Sequence, residues 1–299
     1  MKMLDFVKRK KAPEAVFPHQ QSFPETADGL SLKRPVLMTG VGRSGTHFLA
    51  KIFNQTKEVT ALHLDDIGND VGDSFYMYCK WNGIPVDLEG LFSSRRYLMQ
   101  KYGKDQQVFM ESNPYMAFLA HDFYEQLNSR ILFVHRDPYK VVRSHYFKGW
   151  YKEDLYYGSS EQNLGFQYHY ARPNHFFGRI TPKGSEYDSW QYLSRVGKIA
   201  WMWATINQSM IDQLKHIPSN AYKIIRIEDF DHDQYVETCQ AFGLQEQISR
   251  SAFDKIVQSK PGKGRFNADE FRMTDDQRAE FDRITGPVVE QFSNHNSLL

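Results

Sequence analysis

A glycine-rich segment that could bind an anion lies near the start of the chain. Residues 40–47 read GVGRSGTH; the apolar run Val36–Met38 precedes them, and apolar residues recur at helical spacing between Phe48 and Phe53. This order predicts a strand, a tight turn and the start of a helix. Glycines let a backbone approach a ligand closely, and the free N–H groups at a helix N-terminus point toward it. The segment therefore predicts a phosphate-binding loop.

Three kinds of phosphate ligand are compatible with this loop. An NTPase loop, GxxxxGK[ST], fits Gly40 to Gly45, but Thr46 stands where the lysine that reaches the outer phosphates belongs. A dinucleotide-binding loop, GxGxxG, is matched by Gly40, Gly42 and Gly45, and Asp65 follows 20 residues later, where a ribose-binding acid is expected. An NAD(P)-binding Rossmann oxidoreductase is therefore an alternative. The third possibility is a loop that supplies its own cation to the anion.

A second segment that could bind an anion follows the apolar run Ile131–Val134. Asp137 is a suitable helix cap and Pro138 a suitable first helical residue, so Arg136 should lie at the end of a strand. Ser144 lies seven residues after Asp137, which is about two helical turns along the same face. Arg136 and Ser144 can thus converge on one anion.

The order of elements predicts an α/β fold with a central parallel sheet covered by helices on both faces. Residues 1–34 are basic and broken by prolines, which predicts a flexible arm before a single domain, 35–299. An aromatic-rich insertion is expected at about 146–190, and Gly286-Pro287 is expected to interrupt the last helix. Ligands of such sheets bind at the carboxyl ends of the strands. Both segments, and the basic loop Lys260–Arg265, could meet there.

Together these segments resemble the sulfotransferases that depend on 3′-phosphoadenosine 5′-phosphosulfate (PAPS). GRSGTH is similar to the family's loop for the 5′-phosphosulfate, and RDPYKVVRSHY to its 3′-phosphate motif, an arginine followed eight residues later by serine. KPGKGRF resembles, more loosely, the family's C-terminal basic loop. The resemblance covers roughly Pro35 to Phe271 and implies a P-loop-NTPase-like sulfotransferase fold.

The resemblance also implies which residues contact the donor. Phe48 falls where many members stack an aromatic ring on the adenine, and His47 replaces the commonest second threonine of the loop. The implied donor-binding residues are Arg43, Ser44, Gly45, Thr46, His47, Phe48, Arg136, Ser144, Lys263 and Arg265. Arg43 and His47 would also act on the leaving group.

The implied reaction moves a sulfuryl group from PAPS to a hydroxyl of an acceptor, either a carbohydrate or a lipid- or polyketide-like small molecule. A general base must take the proton of that hydroxyl. The candidates follow predicted strands: His63, Asp65, Asp66 and Glu111. His63 ranks first because histidine has an ordinary pKa near ~6.5, and Glu111 ranks second.

Composition excludes several other classes of function. Lys and Arg total 37 against 36 Asp and Glu, so no charge excess favours nucleic acid. Only Cys79 and Cys239 are present, which excludes a disulfide framework and indicates a reducing, cytoplasmic compartment. No apolar run approaches the ~20 residues of a membrane span, and no signal-peptide core is seen. No Cys/His ligand spacing predicts a metal, and the oligomeric state stays open.

Overall fold

The computed structural model describes residues 33–103, 107–152, 178–245, 247–259 and 271–295. The predicted arm up to residue 32, residues 153–177 of the predicted insertion and the basic loop at 260–265 lie outside the described residues. The predicted division into an arm and one domain stays a prediction.

A five-stranded parallel sheet forms the centre of the molecule. Its strands lie in the order β2-β3-β1-β4-β5, and every neighbouring pair is parallel. All five carboxyl ends therefore meet at one edge. The strands are β1 Lys33–Thr39, β2 Val59–His63, β3 Val108–Ser112, β4 Arg130–His135 and β5 Tyr222–Arg226.

Eleven α-helices and two short 3-10 helices connect and follow these strands in the described part of the chain. The 3-10 helices are Pro114–Phe118 and Ser219–Ala221. The α-helices are α1 Thr46–Phe53, α2 Leu64–Ile67, α3 Asp70–Asn82, α4 Glu89–Tyr102, α5 Ala120–Leu127, α6 Pro138–Phe147, α7 Glu186–Trp190, α8 Arg195–Leu214, α9 His232–Ala241, α10 Arg250–Gln258 and α11 Asp275–His295.

The helices cover both faces of the sheet. Successive side chains of a strand point to opposite faces, and along β1 Val36 and Met38 join one buried cluster while Leu37 joins the other. The first cluster includes side chains of α1, α9 and α10, and the second includes side chains of α5, α8 and α11. Each large apolar side chain that is fully buried contributes about 1.5–3 kcal/mol. The predicted parallel sheet with two covered faces is confirmed.

The last helix is continuous, contrary to the expected interruption at Gly286-Pro287. α11 runs through Pro287, which lies inside it. A proline inside a helix costs about 3 kcal/mol. Val288 and Phe292, on the turns that follow, are buried in the cluster shared with α8, and their burial offsets that cost.

Two further features concern the cysteines and the helices. Cys79 and Cys239 are both free and buried. Within the described ranges, no helix has the length and apolar character that crossing a bilayer requires.

Candidate functional site

The glycine-rich loop connects β1 to α1 at the carboxyl edge of the sheet. Gly40 and Gly45 have φ angles of 154° and 96°, which glycine tolerates best. A Cβ on Gly40 would lie 2.1 Å from the carbonyl oxygen of Val134, and one on Gly45 would lie 2.6 Å from Ile227 Cγ1. The loop thus needs glycine where it passes close to β4 and to the residue after β5. The predicted strand, turn and helix are found here.

The start of α1 is suited to an anion. The first turn contains no acidic residue, and no side chain caps it. Its first N–H groups have no partner within the helix. Ser44 is fully buried, and its Oγ has no hydrogen-bond partner among the described residues. A buried hydroxyl without a partner is costly, and an anionic group bound in the loop would supply the partner. The loop therefore fits a phosphate- or sulfate-like ligand.

Arg43 connects the loop to the second predicted segment. Its Nε donates to Ser144 Oγ at 3.0 Å, and Arg136 Nη1 donates to the carbonyl oxygen of Arg43 at 2.8 Å. Burial and the neighbouring guanidinium of Arg136 lower the pKa of Arg43. Two cations placed this close favour an anion beside them. The two segments, separate in sequence, form one positive site.

Arg136 is fixed at the end of β4 by two groups from other parts of the chain. Glu228, which follows β5, accepts ion pairs from Arg136 Nε at 3.4 Å and from Lys140 Nζ at 3.2 Å. Trp203 Nε1 of α8 donates to the carbonyl oxygen of Arg136 at 3.2 Å. Trp203 is itself buried, so it belongs to the core. These contacts orient Arg136 toward the cavity.

A cavity of about 1660 Å³ extends along this edge of the sheet. Ser44 and Ser144 are not among the residues that line it, although Ser144 accepts a hydrogen bond from Arg43, which does. Lys263 and Arg265 lie outside the described residues. The predicted donor-binding residues that line it are Arg43, Gly45, Thr46, His47, Phe48 and Arg136.

His63 lies at the end of β2 and faces the same cavity. Its ring stacks on that of His47, with centroids 4.6 Å apart. Nδ1 accepts from the Asp65 N–H and also lies 3.3 Å from Asp65 Oδ2. The two contacts belong to different tautomers: when Nδ1 accepts from the Asp65 N–H the hydrogen is on Nε2, and when Nδ1 carries the hydrogen and donates to the Asp65 carboxylate, Nε2 is a bare acceptor. Burial lowers the pKa of His63, so the ring is neutral at pH 7.

Glu111 does not reach the cavity, which corrects its prediction as a candidate base. Its carboxylate is buried and accepts from Arg95 Nη2 at 2.8 Å and from Asn113 Nδ2 at 2.9 Å. Arg95 Nη2 also donates to Asp73 Oδ2 at 2.6 Å. A carboxylate that is bound by a buried guanidinium and an amide group stabilises the fold and is not available as a base. Of the other candidates, Asp66 Oδ2 accepts from the His63 N–H at 2.9 Å and so caps α2.

Three potential metal ligands meet in this part of the cavity. Side-chain atoms of His47, His63 and Asp65 all lie within 4.8 Å of one another. They come from α1, the end of β2 and α2, so no local spacing in the sequence indicated them. The expected absence of a metal stays a prediction.

An apolar region of the cavity wall was not predicted from the sequence. Met77, Tyr115, Met202 and Ile206 line the cavity and are buried. Burial raises the pKa of the Tyr115 phenol, which therefore stays protonated. Arg179 also lines this region, with its guanidinium 5.7 Å from the centre of the Trp150 ring. Met202 and Ile206 lie one turn apart on α8, but the others come from separate parts of the chain, so no single motif indicated the region.

The strand order disagrees with the dinucleotide-binding alternative. In such folds the second strand lies directly beside the first, which brings its acid near the glycine loop. Here β3 lies between β1 and β2. Asp65 follows β2, two strands away from the loop that contains Gly40, Gly42 and Gly45. The topology that this alternative requires is absent from the described sheet.

Solved structures of sulfotransferases align with most of this chain. Sulfotransferase STF9 from Mycobacterium avium aligns with a TM-score of 0.52 and 11% identity, covering 87% of this chain and 76% of its own. Sulfotransferase STF1 from Mycobacterium tuberculosis H37Rv gives a TM-score of 0.51 and 11% identity, covering 86% and 78%. A sulfotransferase from Alicyclobacillus acidocaldarius is 15% identical, with a TM-score of 0.46, and covers 86% and 93%.

At such low identity the similarity establishes the fold alone. Neither a protein-family model nor a curated protein matches the sequence. The chain has the fold of the sulfotransferases, with a central parallel sheet between layers of helices, as its motifs predicted.

Proposed function

We propose that the protein is a PAPS-dependent sulfotransferase that acts on a hydroxyl group. The observation that carries the proposal is the contact between the two anion-binding segments, in which Arg43 Nε donates to Ser144 Oγ at 3.0 Å. An ordinary phosphate loop needs only the first segment. A donor with phosphate groups at both its 5′ and 3′ positions uses both.

In this proposal the two segments divide the donor between them. The loop N–H groups and the Ser44 hydroxyl bind the 5′-phosphosulfate, and Arg136 with Ser144 binds the 3′-phosphate. Phe48 lines the cavity, where it can contact the adenine. Lys263 and Arg265 are proposed as further donor ligands from the sequence alone. PAPS supplies the sulfuryl group that is transferred.

Side chains of the protein then stabilise the negative charge of the leaving group and take one proton from the acceptor. The oxygen of the acceptor forms a bond to sulfur, the bond between sulfur and the phosphate oxygen breaks, and that oxygen gains negative charge. Arg43 and His47 lie where they can stabilise this charge, which is the main demand of such transfers. His63 takes the proton of the acceptor hydroxyl, oriented by Asp65.

The described wall of the cavity favours an apolar acceptor over a carbohydrate. Met77, Tyr115, Met202 and Ile206 form an apolar region that suits a lipid- or polyketide-like alcohol or phenol. A cytoplasmic location stays a prediction from the cysteine usage.

Ligand binding tests the proposal before any acceptor is known. Adenosine 3′,5′-bisphosphate should raise the melting temperature, because a ligand that binds only the folded state stabilises it, and NAD and ATP should raise it less. Transfer of label from ³⁵S-PAPS to a panel of phenols, alkyl alcohols and sugars tests the reaction. A larger shift with NAD than with the bisphosphate would refute the donor assignment.

A further inference from the structure

His145 lies beneath the glycine-rich loop, and no role was predicted for it from the sequence. It is on α6, directly after Ser144, and is only 1% exposed. Its Nε2 lies 3.0 Å from the carbonyl oxygen of Gly42. Because a carbonyl oxygen can only accept, Nε2 must carry the hydrogen in this contact. A Cβ on Gly42 would lie 3.6 Å from His145 Cε1, so the ring packs directly against the loop.

The ring is also held from its other side. The Trp150 ring packs against it, with centroids 4.0 Å apart and ring planes tilted by 39°, and the Trp150 backbone N–H donates to the His145 carbonyl oxygen at 3.1 Å. Arg195 Nε of α8 donates in turn to the carbonyl oxygen of Trp150 at 2.7 Å. The orientation of the imidazole is therefore fixed by packing before any ligand binds.

The bond from His145 acts on a strained part of the loop. Arg43 has a φ of 73°, in the left-handed region, which costs a residue with a side chain roughly 1–2 kcal/mol. Two consecutive carbonyl groups of this turn are bound by side chains: that of Gly42 by His145 and that of Arg43 by Arg136. These two hydrogen bonds offset the strain and hold the turn in one conformation.

Fixing the Gly42 carbonyl also fixes the direction of the next N–H group. In a trans peptide the C=O and the following N–H point in opposite directions. The N–H of Arg43 is therefore directed away from His145. The N–H of Ser44 donates to the carbonyl oxygen of Val41 at 3.1 Å, within the turn. The orientation of one peptide group, between Gly42 and Arg43, thus depends on the donor at His145.

We infer that His145 is a positioning residue, whose Nε2–H holds the Gly42–Arg43 peptide in the orientation that binds the donor's 5′-phosphosulfate. The inference rests on the proposed function for the identity of that ligand. The environment of His145 argues against a role as general base, because burial lowers the pKa of His145 to about 3, and the charge of Arg43 adds to the lowering. The ring stays neutral throughout the working pH range.

Two substitutions separate the hydrogen bond from the packing. His145→Gln keeps an N–H donor near the position of Nε2, whereas His145→Phe keeps a flat ring and removes the donor. His216→Gln, at an exposed histidine that does not line this cavity, is the control. Affinity for adenosine 3′,5′-bisphosphate is measured by calorimetry, together with the melting temperature and the dependence of turnover on pH.

We expect His145→Phe to bind the bisphosphate roughly tenfold more weakly, the scale of a buried acceptor left without its donor. His145→Gln should stay within about threefold of the wild type, as should the control. The pH profile of His145→Gln should keep its shape, because the residue it replaces does not titrate in that range. If His145 were the general base, the pH profile of turnover of His145→Gln would instead lose its acid limb.

Several outcomes overturn the inference. Unchanged bisphosphate affinity in a folded His145→Phe removes the positioning role, and equal losses in both variants assign the effect to packing. If His145→Phe fails to fold, the ¹⁵N chemical shifts of the imidazole in the wild type test the inference. A hydrogen on Nδ1 and none on Nε2 would contradict the hydrogen bond to Gly42. Wild-type protein that binds no bisphosphate refutes the proposed function, which is a separate result.

Discussion

Arg43 Nε lies 3.0 Å from Ser144 Oγ, although 101 residues separate the two in the sequence. The contact follows from the sheet, because β1 and β4 are parallel neighbours and Thr39 pairs with Phe133. The loop after β1 and the helix after β4 therefore begin side by side. Ser144 accepts from Arg43 and keeps its own O–H to donate to an anion. One ligand can thus be bound by both segments.

The first prediction concerns the 3′-phosphate site. Arg136→Ala should weaken bisphosphate binding by roughly 2–5 kcal/mol, the scale for truncating one partner of a buried charge pair. Selectivity against adenosine 5′-phosphosulfate should collapse with it. Calorimetry with both nucleotides measures the two effects.

A matched control is available on the adjacent helix. Arg143 is on α6, which begins two residues after Arg136, and does not line the cavity, so Arg143→Ala should change the affinity little. Equal losses in Arg136→Ala and Arg143→Ala would show a general effect of positive charge and would remove Arg136 from the 3′-site.

The second prediction separates turnover from binding. Arg43→Ala should lower turnover by roughly 10²–10³-fold, as removal of a charge-stabilising donor does. It should lower bisphosphate affinity less, because its charge is most useful while the leaving oxygen becomes negative. Arg43→Lys, which keeps a charge, should recover part of the turnover. Wild-type turnover of Arg43→Ala at saturating PAPS would contradict the catalytic role.

The loop and the fold could be predicted because their signals are local. The apolar run before Gly40, the glycines and the helical spacing after Phe48 specify strand, turn and helix without reference to distant residues. Asp137 likewise caps α6 through its side chain, which accepts from the Lys140 N–H at 3.0 Å. These interactions involve only residues that are close in the sequence, so the sequence is sufficient to predict them.

The remaining parts of the site depend on partners that the sequence does not place. Glu111 follows the apolar start of β3 like a site residue, but Arg95 of α4 and Asp73 of α3 meet it in the interior. The histidine at 145 looks like an ordinary helical residue until the loop is packed above it. α11 continues through Pro287 because burial against α8 outweighs a local preference.

The third prediction identifies the general base. His63→Ala should reduce turnover by roughly 10²–10⁴-fold with bisphosphate binding kept, which is the effect of losing a base. Glu111→Gln should retain turnover in its folded fraction, because the carboxylate faces Arg95 and not the cavity. Near-wild-type turnover of His63→Ala between pH 6 and 8 would remove His63 from the reaction.

The fourth prediction is a shift in the pH profile. Turnover should fall as the pH drops and His63 takes up a proton. Because burial lowers the pKa of His63, this fall should occur below pH 6.5, the ordinary pKa of histidine. The carboxylate of Asp65 opposes this effect and raises the pKa. Asp65→Asn should therefore lower the pKa further and move the acid limb of turnover to lower pH. Asp212→Asn, at an exposed acid outside the cavity, should leave the limb in place. A limb that moves to higher pH would contradict the pairing of His63 with Asp65.

The fifth prediction compares two neighbouring arginines of α4. Arg95 has no exposed surface and lies between Asp73 and Glu111, with Nη2 at 2.6 Å and 2.8 Å from their oxygens. Arg96 is 43% exposed and pairs with Glu89 at 2.8 Å. Arg95→Met should cost about 3–5 kcal/mol of unfolding free energy, because it leaves two carboxylates buried without their cation.

Arg96→Met should cost less than about 1 kcal/mol, because an exposed ion pair is screened by water and loses side-chain freedom when it forms. Urea unfolding of both variants measures the difference. Burial raises the pKa of Asp73, so the missing cation should be tolerated best at acid pH, where the carboxylate takes up a proton. Equal costs for the two variants would show that the buried cluster is not held together by Arg95.

The cluster also places Asn113, whose carbonyl oxygen accepts from Thr39 Oγ1 at 2.8 Å at the entrance to the loop. Arg95→Met should therefore weaken bisphosphate binding, although Arg95 itself does not line the cavity.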